Sequence, residues 1–309
     1  MDHLRPPSVR RALLTGVLAL VVAAAAACAV DPAADGPTQP QASRSSAPDV
    51  REVPALAKQV PSPLRTKGVL RVATSSSLPP MTFVADDNAT LVGLDVDMAK
   101  AVAATLGLRA DVTTAGFDTL VPGLQAGRFD MVMSSMGVTA ERQRVVDFVD
   151  YYYGGQGFLA SKSSGFAVTD LRDLCGKRVA VQTGSTQQST LEDSRALCAE
   201  AGRRPYELQA FPDTNAAVLA IRGNRVDVFY ASISVVAWTA DQNKAFRIAG
   251  RYKRAMVGAA LPKATPLTRL VQLAVQHLID DGTYRTILDQ WGLADNAVRT
   301  ARVNSAAAA

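Results

Sequence analysis

One phrase of the sequence occurs twice, and this repeat constrains the possible folds more than any other feature. Residues 124–135 read as a helix end, a glycine turn, an acidic residue and an apolar strand, and residues 221–232 follow the same order. Apolar strand-like runs alternate with amphipathic helical runs around both copies. Because that alternation is typical of βαβ units, the sequence predicts an α/β fold with two similar lobes.

Individual elements follow from the local patterns. Runs of branched apolar residues predict strands over residues 69–74, 110–113, 129–133 and 178–182. Apolar residues at helical spacing predict helices over residues 95–106, 118–126, 185–201, 267–278 and 284–291. Thr265 and Pro266 mark the start of the fourth helix, and Gly292 marks the end of the fifth.

The N-terminus has the pattern of a bacterial signal peptide. Three arginines precede an uncharged, mostly apolar run over residues 12–27, which is short for a membrane span. The run ends in alanines followed by Cys28, so we expect residues 1–27 to be removed and Cys28 to carry lipid. Cleavage without lipidation is the alternative. The protein is therefore expected on the outer face of the cell membrane, held by a lipid anchor.

Two segments have compositions that predict disorder. Residues 28–65 are rich in Pro, Ala, Ser, Gln and Asp and poor in aromatic side chains, so they are expected to form a flexible stalk. Residues 297–309 are expected to form a disordered tail. About 230 residues remain between them, enough for one large α/β unit or two smaller ones, each with a core.

Charge and histidine content argue against several classes of function. The formal net charge of +5 falls to +3 without residues 1–27, which carry three Arg and one Asp, so the chain is not indicated as a nucleic-acid binder. Beyond the predicted signal the only histidine is His277, and there is no phosphate loop or nucleophile elbow. We therefore expect no metal, no cofactor and no catalytic centre.

Two cysteines follow Cys28 in the sequence, Cys175 and Cys198. In an exported protein such a pair is expected to form a disulfide, which would stabilise the fold by roughly 3 kcal/mol through the closed loop. Two buried free thiols are the alternative.

Two loops have the composition of anion sites. In residues 134–142, Thr139 can cap a helix whose first turn carries Arg142, and in residues 182–187 Gly184 turns the chain into another helix start. Exposed amides and a guanidinium group suit a carboxylate, and both loops follow strands, where α/β sheets bind ligands. Plain helix capping is the alternative for each loop.

Four phrases in order extend this interpretation over most of the chain: VGLDVDMA at residues 92–99, FDTLVPGLQ at 117–125, the segment 134–148 containing TAER, and 281–292, which opens with DGTY and closes with WG. With these phrases the chain resembles the family 3 extracellular solute-binding proteins, the polar amino-acid receptors of ABC importers. The resemblance implies a type II periplasmic binding protein fold.

In that fold two α/β lobes are joined by two crossing hinge strands. The resemblance places these strands near residues 156–162 and 252–260. Lobe 1 would be discontinuous and lobe 2 inserted in it: residues 66–155 and 251–296 would form lobe 1, and residues 156–250 would form lobe 2.

The resemblance also implies a ligand site. Arg142 would hold the α-carboxylate of the ligand, helped by amides around Gly137 and at Ser185 and Thr186, and Phe117 would line the pocket. The full set of candidate ligand-binding residues is Ser75, Leu78, Phe117, Ser135, Gly137, Arg142, Ser185, Thr186 and Ser232.

Several of these positions depart from the family pattern. Leu78 stands where an aromatic residue usually covers the ligand, and Ser75 where an acidic residue is common. Ser232 replaces the carboxylate that usually holds the ligand's ammonium group, and Gly137 replaces the hydroxyl residue that assists it. An acid such as Asp213 or Asp241 is a candidate replacement.

These features predict a substrate-binding lipoprotein of an ABC importer. It would act as a monomer, capture a small carboxylate-bearing solute such as an amino acid or a derivative by closing two lobes, and dock on a membrane permease. A dehydratase or lyase on the same fold and an extracellular sensor domain are the alternatives.

Overall fold

The computed structural model of the protein describes residues 48–306. Eleven strands lie within these residues: β1 (Val69–Thr74), β2 (Ser77–Leu78), β3 (Thr82–Val84), β4 (Leu91–Val92), β5 (Arg109–Thr114), β6 (Met131–Val132), β7 (Val146–Ser161), β8 (Arg178–Gln182), β9 (Glu207–Phe211), β10 (Val228–Ser232) and β11 (Phe246–Pro262).

Eleven α-helices lie in the same part of the chain: α1 (Pro54–Ala57), α2 (Ser62–Lys67), α3 (Leu94–Thr105), α4 (Leu120–Gln125), α5 (Ala140–Gln143), α6 (Thr186–Asp193), α7 (Leu197–Glu200), α8 (Thr214–Arg222), α9 (Ile233–Gln242), α10 (Pro266–Asp280) and α11 (Thr283–Gln290). None of the helices in residues 48–306 combines the length and the apolar character that a membrane span requires.

Eight strands form one mixed sheet in the order β5-β1-β6-β11-β7-β10-β8-β9, and β2, β3 and β4 form a separate small sheet. The first parallel group consists of β5, β1 and β6, and the second consists of β10, β8 and β9. Between them β7 and β11 pair antiparallel over nearly their whole length. The two long strands therefore join two α/β halves, and the type II fold with two crossing strands is confirmed.

Helix α10 shows how local sequence fixes these elements. The Thr265 side chain accepts a hydrogen bond from the Leu267 amide, and Pro266 occupies the first turn, where its missing N–H costs nothing. Leu270, Val271 and Leu278 are buried on one face against the core. The predicted helices over residues 95–106, 267–278 and 284–291 are confirmed as α3, α10 and α11.

Two predicted helices differ from the structure. The segment 118–126 begins with a 3₁₀ turn at Phe117–Thr119 and becomes α-helical only in α4. The segment 185–201 is not one helix but two, α6 and α7, separated by residues 194–196. The composition of α6 explains the early end, because its Ser, Thr and Asp side chains favour helix continuation less than Ala or Leu.

The predicted disulfide is present. Cys175 and Cys198 are bonded, with their α-carbons 5.6 Å apart and a sequence separation of 23. Cys198 lies in α7, so the bond ties this short helix to the turn that precedes β8.

The prediction of a stalk is wrong for residues 48–65. Helices α1 and α2 form there, Val60 is 2% exposed, and the Val53 amide donates to the Thr105 carbonyl at 2.9 Å. Isolated apolar residues of this segment pack on the main core although its overall composition is polar. Residues 1–47, with the predicted signal and Cys28, lie outside the described residues.

The predicted disordered tail is wrong for residues 297–306. Ala301 is 1% exposed, and the Val298 amide donates to the Tyr284 hydroxyl at 2.8 Å. The Asn304 amide donates to the Phe148 carbonyl at 3.0 Å, which attaches the segment to β7. The segment is therefore part of the folded unit.

Removal of this C-terminal segment should destabilise the protein. Truncation after Asn296 exposes the surface that Val298 and Ala301 cover and removes the hydrogen bonds to β7. We expect the free energy of unfolding to fall by about 3 kcal/mol, measured by urea denaturation. Thr300→Ala in the full chain, at an exposed position, is the control and should change little. An unchanged unfolding midpoint after truncation would contradict the expectation.

Candidate functional site

A small cavity lies where strands of both parallel groups end against the central β7–β11 pair. Its volume is about 60 Å³, well below the roughly 300–1,000 Å³ of pockets that take drug-sized ligands. Strands β8 and β10 contribute their last residues, and the loop after β6 contributes Ser134, Ser135 and Gly137. This is the edge at which α/β sheets bind ligands.

Arg142 dominates the charge of this cavity. Thr139 caps α5 by accepting a hydrogen bond from the Arg142 amide at 3.2 Å, as the sequence predicts. The guanidinium group donates from Nη1 to the Gly137 carbonyl and from Nη2 to the Gly184 carbonyl, each at 2.8 Å. It also lies 5.7 Å from the centre of the Phe117 ring. Helix α5 has only four residues, so this side chain, and not the helix end, provides the positive charge.

The Arg142 side chain has no carboxylate partner among residues 48–306. Burial lowers its pKa to about 10, although Glu141 acts in the opposite direction. The group is still protonated at neutral pH, so a positive charge lies at the cavity wall without a counter-ion. Such a desolvated guanidinium favours an anionic ligand that accepts two parallel hydrogen bonds.

The opposite wall comes from the start of α6. Ser185 caps this helix by accepting a hydrogen bond from the Gln188 amide at 3.1 Å. Thr186 faces Gly137 across the cavity so closely that a methyl group at position 137 would lie 3.1 Å from Thr186 Cγ2. A larger hydroxyl residue at position 137 would therefore meet Thr186 in this arrangement.

Gly184 packs closely against Asp118, the residue after Phe117 of the cavity wall, and an alanine there should weaken ligand binding. Its φ is +73°, and an added Cβ would lie 3.0 Å from the Cα and Cβ atoms of Asp118. Gly184→Ala therefore strains the turn and pushes the two walls apart. We expect at least tenfold weaker binding in calorimetry. Gly127→Ala is the matched control, since its φ is +69° with open space around it. Equal affinities of the two variants would contradict this view of Gly184.

Three buried polar atoms of the cavity wall lack hydrogen-bond partners: Ser135 Oγ, Gln182 Nε2 and Thr214 Oγ1. Ser135 also has a φ of +46°, a backbone conformation that non-glycine residues rarely adopt. An unpaired buried polar atom costs about 1–3 kcal/mol, and strained backbone clusters at functional sites. A polar ligand would supply the missing partners.

The structure brings together most of the residues that the sequence proposes for the site. Eight of them line the cavity: Leu78, Phe117, Ser135, Gly137, Arg142, Ser185, Thr186 and Ser232. Ser75 does not line it. It is 4% exposed, and its amide donates to Ser134 Oγ at 3.0 Å, so it supports the wall from behind.

Sequence reasoning missed part of the wall. Gln156 lies on β7 and accepts a hydrogen bond from the Tyr230 hydroxyl, and Thr214 opens α8. Gln182 and Gln187 also line the cavity, at the two ends of the loop 182–187 that the sequence indicates as an anion site. Gln156 and Thr214 carry no spacing signal that separates them from surface residues, so only the chain's path identifies them.

No acidic side chain lines the cavity within the described part of the chain. Asp213 caps α8 by accepting from the Ala216 amide at 2.9 Å, and the exposed Asp241 pairs with Lys244 at 3.1 Å. Neither candidate replacement therefore reaches the wall. Ser232 does line it, at the end of β10.

Comparison with known proteins agrees with this architecture. The family of bacterial extracellular solute-binding proteins, family 3, matches residues 70–294. That match covers most of the chain. The protein therefore belongs to family 3 of the bacterial extracellular solute-binding proteins.

The individual relatives are described as amino acid-binding proteins. The arginine-binding protein ArgT of Corynebacterium glutamicum is 29% identical over 82% of this chain and 83% of its own length. An ancestral arginine-binding protein, solved with arginine bound, has a TM-score of 0.67 and 31% identity over 72% of this chain and 98% of its own. An ancestral amino acid-binding protein described as a precursor of cyclohexadienyl dehydratase has a TM-score of 0.67 and 29% identity over 74% and 97% of the two chains.

Proposed function

We propose that the protein is the substrate-binding component of an ABC importer and that it captures a small amino acid or amino-acid derivative by its carboxylate group. The observation that carries the proposal is Arg142, a half-buried arginine at the cavity wall with no carboxylate partner in the described residues. The arginine-binding relatives support the amino-acid class.

Capture follows from the position of Arg142 between the two loops. The ligand's carboxylate would accept from the guanidinium group and from amides of the α6 start, and thereby join the two walls. The long strands β7 and β11 are the connection about which the halves would open and close, with lobe 2 between residues 156 and 250. The closed form would then dock on a membrane permease as a monomer.

The cavity favours a ligand whose side chain is short and uncharged. Arginine-binding relatives take a long cationic side chain, but this cavity offers glutamine amides and hydroxyl groups and no acidic residue among residues 48–306. A buried cation without an acidic partner is far costlier than a buried neutral polar group. We therefore expect L-glutamine and smaller neutral amino acids to bind at least tenfold more tightly than L-arginine.

Isothermal titration of the purified protein against the standard L-amino acids tests this function. Matched compounds in which the carboxylate is an amide should fail to bind, while N-acylated and deaminated counterparts show how much the amine contributes. Equal affinity for an amino acid and for its carboxamide counterpart would refute the proposed site. Tighter binding of L-arginine than of all neutral amino acids would refute the proposed side-chain class.

The enzyme alternative has a specific observation behind it, the structural likeness to a precursor of a dehydratase. Such a reaction needs a positioned acid or base at the bound ligand, and no acidic side chain lines this cavity in the described residues. We therefore propose binding without turnover. Recovery of unchanged ligand after long incubation would distinguish a binding protein from an enzyme. Activation of a membrane kinase without uptake of the ligand would favour the sensor alternative.

We propose that residues 1–27 are removed and that lipid on Cys28 holds the protein at the outer face of the membrane. The sequence pattern before Cys28 and the extracellular character of the family support this location. Cys28→Ser should shift the protein from the membrane fraction to the soluble fraction. Membrane association that does not change would contradict the lipid anchor.

A further inference from the structure

We propose that Asp95 is the counter-charge for the ligand's ammonium group and acts through the hydroxyl group of Ser135 at the cavity wall. This inference rests on the proposed function, because it requires a ligand that carries both a carboxylate and an amine. It assigns the acidic contact that Ser232, a neutral side chain, does not provide.

Asp95 lies directly behind the wall. It is 1% exposed in α3, and its Oδ1 atom accepts a hydrogen bond from the Tyr151 hydroxyl at 2.5 Å. That hydroxyl in turn accepts from the Ser135 amide at 3.1 Å. The chain of contacts therefore runs from the fully buried carboxylate to a residue that lines the cavity.

Two atoms along this series of contacts lack hydrogen-bond partners, and they belong to neighbouring side chains. Asp95 Oδ2 and Ser135 Oγ are both buried without a hydrogen-bond partner. A protein that needed only the contact with Tyr151 would be served by a neutral side chain at position 95, since an isolated buried carboxylate is costly. With an ammonium group bound, Ser135 Oγ accepts from the ammonium and donates its own proton to Asp95 Oδ2, so both atoms gain partners.

The protonation of Asp95 then depends on the ligand. Burial raises the pKa of Asp95 to about 7, while the hydrogen bond from Tyr151 and the adjacent Ser135 group act to lower it. A nearby ammonium group favours the charged carboxylate, so binding lowers this pKa and releases a proton wherever the free protein holds one. The released proton goes to solvent. Affinity should therefore decrease as the pH falls below 7.

The tyrosines around Asp95 do not titrate in that range. Tyr151 and Tyr152 face it from β7, and burial raises the pKa of Tyr152 to about 12 and that of Tyr151 well above its usual value. Thr82 and Ser135 are neutral. On α3 itself, Asp97 accepts a hydrogen bond from the Trp291 indole at 2.9 Å. No other charged group affects the pKa of Asp95 among the described residues.

The test is calorimetry with the standard L-amino acid that binds the wild type most tightly, and with its N-acetyl counterpart, from pH 6 to pH 8. For the wild type we expect about tenfold weaker binding of the free amino acid at pH 6 than at pH 8, with proton release measured in buffers of different ionisation enthalpy. The N-acetyl compound, which has no cationic amine, should show no such dependence.

Asp95→Asn keeps an acceptor for Tyr151 and removes the charge. It should bind the free amino acid about tenfold more weakly than wild type at pH 8 and lose the pH dependence, with little effect on the N-acetyl compound. Ser135→Ala should have the same selective effect. It serves as the second test of the inference if Asp95→Asn unfolds the protein. Asp150→Asn is the matched control. Burial raises the pKa of Asp150 to about 6, and its carboxylate accepts from Ser305 away from the cavity.

The outcomes separate the inference from the proposed function. If the wild type binds no standard amino acid, the proposed function falls and this inference with it. If the wild type binds an amino acid and both Asp95→Asn and Ser135→Ala match its affinity and pH profile, only the inference is overturned. Equal losses for the free and N-acetyl compounds would also overturn it, because they indicate a structural role for Asp95.

Discussion

Replacement of Arg142 by alanine should nearly abolish ligand binding. The Arg142 side chain is half-buried, has no carboxylate partner in the described residues, and is the only Arg or Lys of the cavity wall there. Removing one partner of a desolvated charge pair typically costs about 2–5 kcal/mol, which corresponds to a loss of roughly 30-fold to several thousand-fold in affinity. Titration calorimetry with the best-binding amino acid measures the effect.

Two further variants make this experiment specific. Arg142→Lys keeps the charge but loses the planar pair of donors, so it should recover only part of the affinity. Arg144→Ala removes an exposed charge from the same short segment and should leave binding unchanged. If Arg142→Ala bound within threefold of the wild type, the site itself would be wrong, whatever the ligand.

Removal of the disulfide should cause the second large effect, on stability and not on binding. Replacing Cys175 and Cys198 together by alanine opens a loop whose ends are separated by 23 positions and gives the unfolded chain more conformational freedom. The expected loss is about 3 kcal/mol in the free energy of unfolding, measured by urea denaturation. Neither cysteine lines the cavity, so ligand affinity should stay within about threefold of wild type once the protein is folded.

Reduction provides the control for this prediction. Dithiothreitol should shift the unfolding midpoint of the wild type toward that of the double variant and leave the double variant where it is. A reductant effect of equal size on both proteins would mean that it does not act through this bond. A double variant as stable as the oxidised wild type would show that the closed loop contributes nothing.

Much of the fold could be predicted from the sequence because its signals are local and periodic. The apolar residues at helical spacing in α3, α10 and α11 favoured helices, and the repeated phrase at residues 124–135 and 221–232 indicated two similar halves. The long strands β7 and β11 were underestimated. Their glycines and register shifts weaken the strand pattern, and their pairing joins residues about 100 positions apart.

The residues of the candidate site likewise fall into those that the sequence could predict and those that it could not. Arg142 was visible because a capping threonine and a basic residue three positions later form a short motif. Gln156 and Thr214 were not, since their presence in the wall depends on how β7 and α8 pass the cavity. Asp95 was visible only as part of a family phrase. Its position on a helix does not reveal that the helix buries it against Tyr151.

By itself, then, the sequence determined the α/β class, the family, the disulfide pair and the arginine proposed to bind a carboxylate, because each depends on local patterns or on short motifs. The tertiary structure alone decided which neutral side chains complete the cavity, that residues 48–65 and 297–306 pack on the core, and that a buried carboxylate lies one hydroxyl group behind the wall. These features arise from contacts between segments far apart in the chain. Burial and the loss of water set their energies, and neither has a signature in the order of the residues.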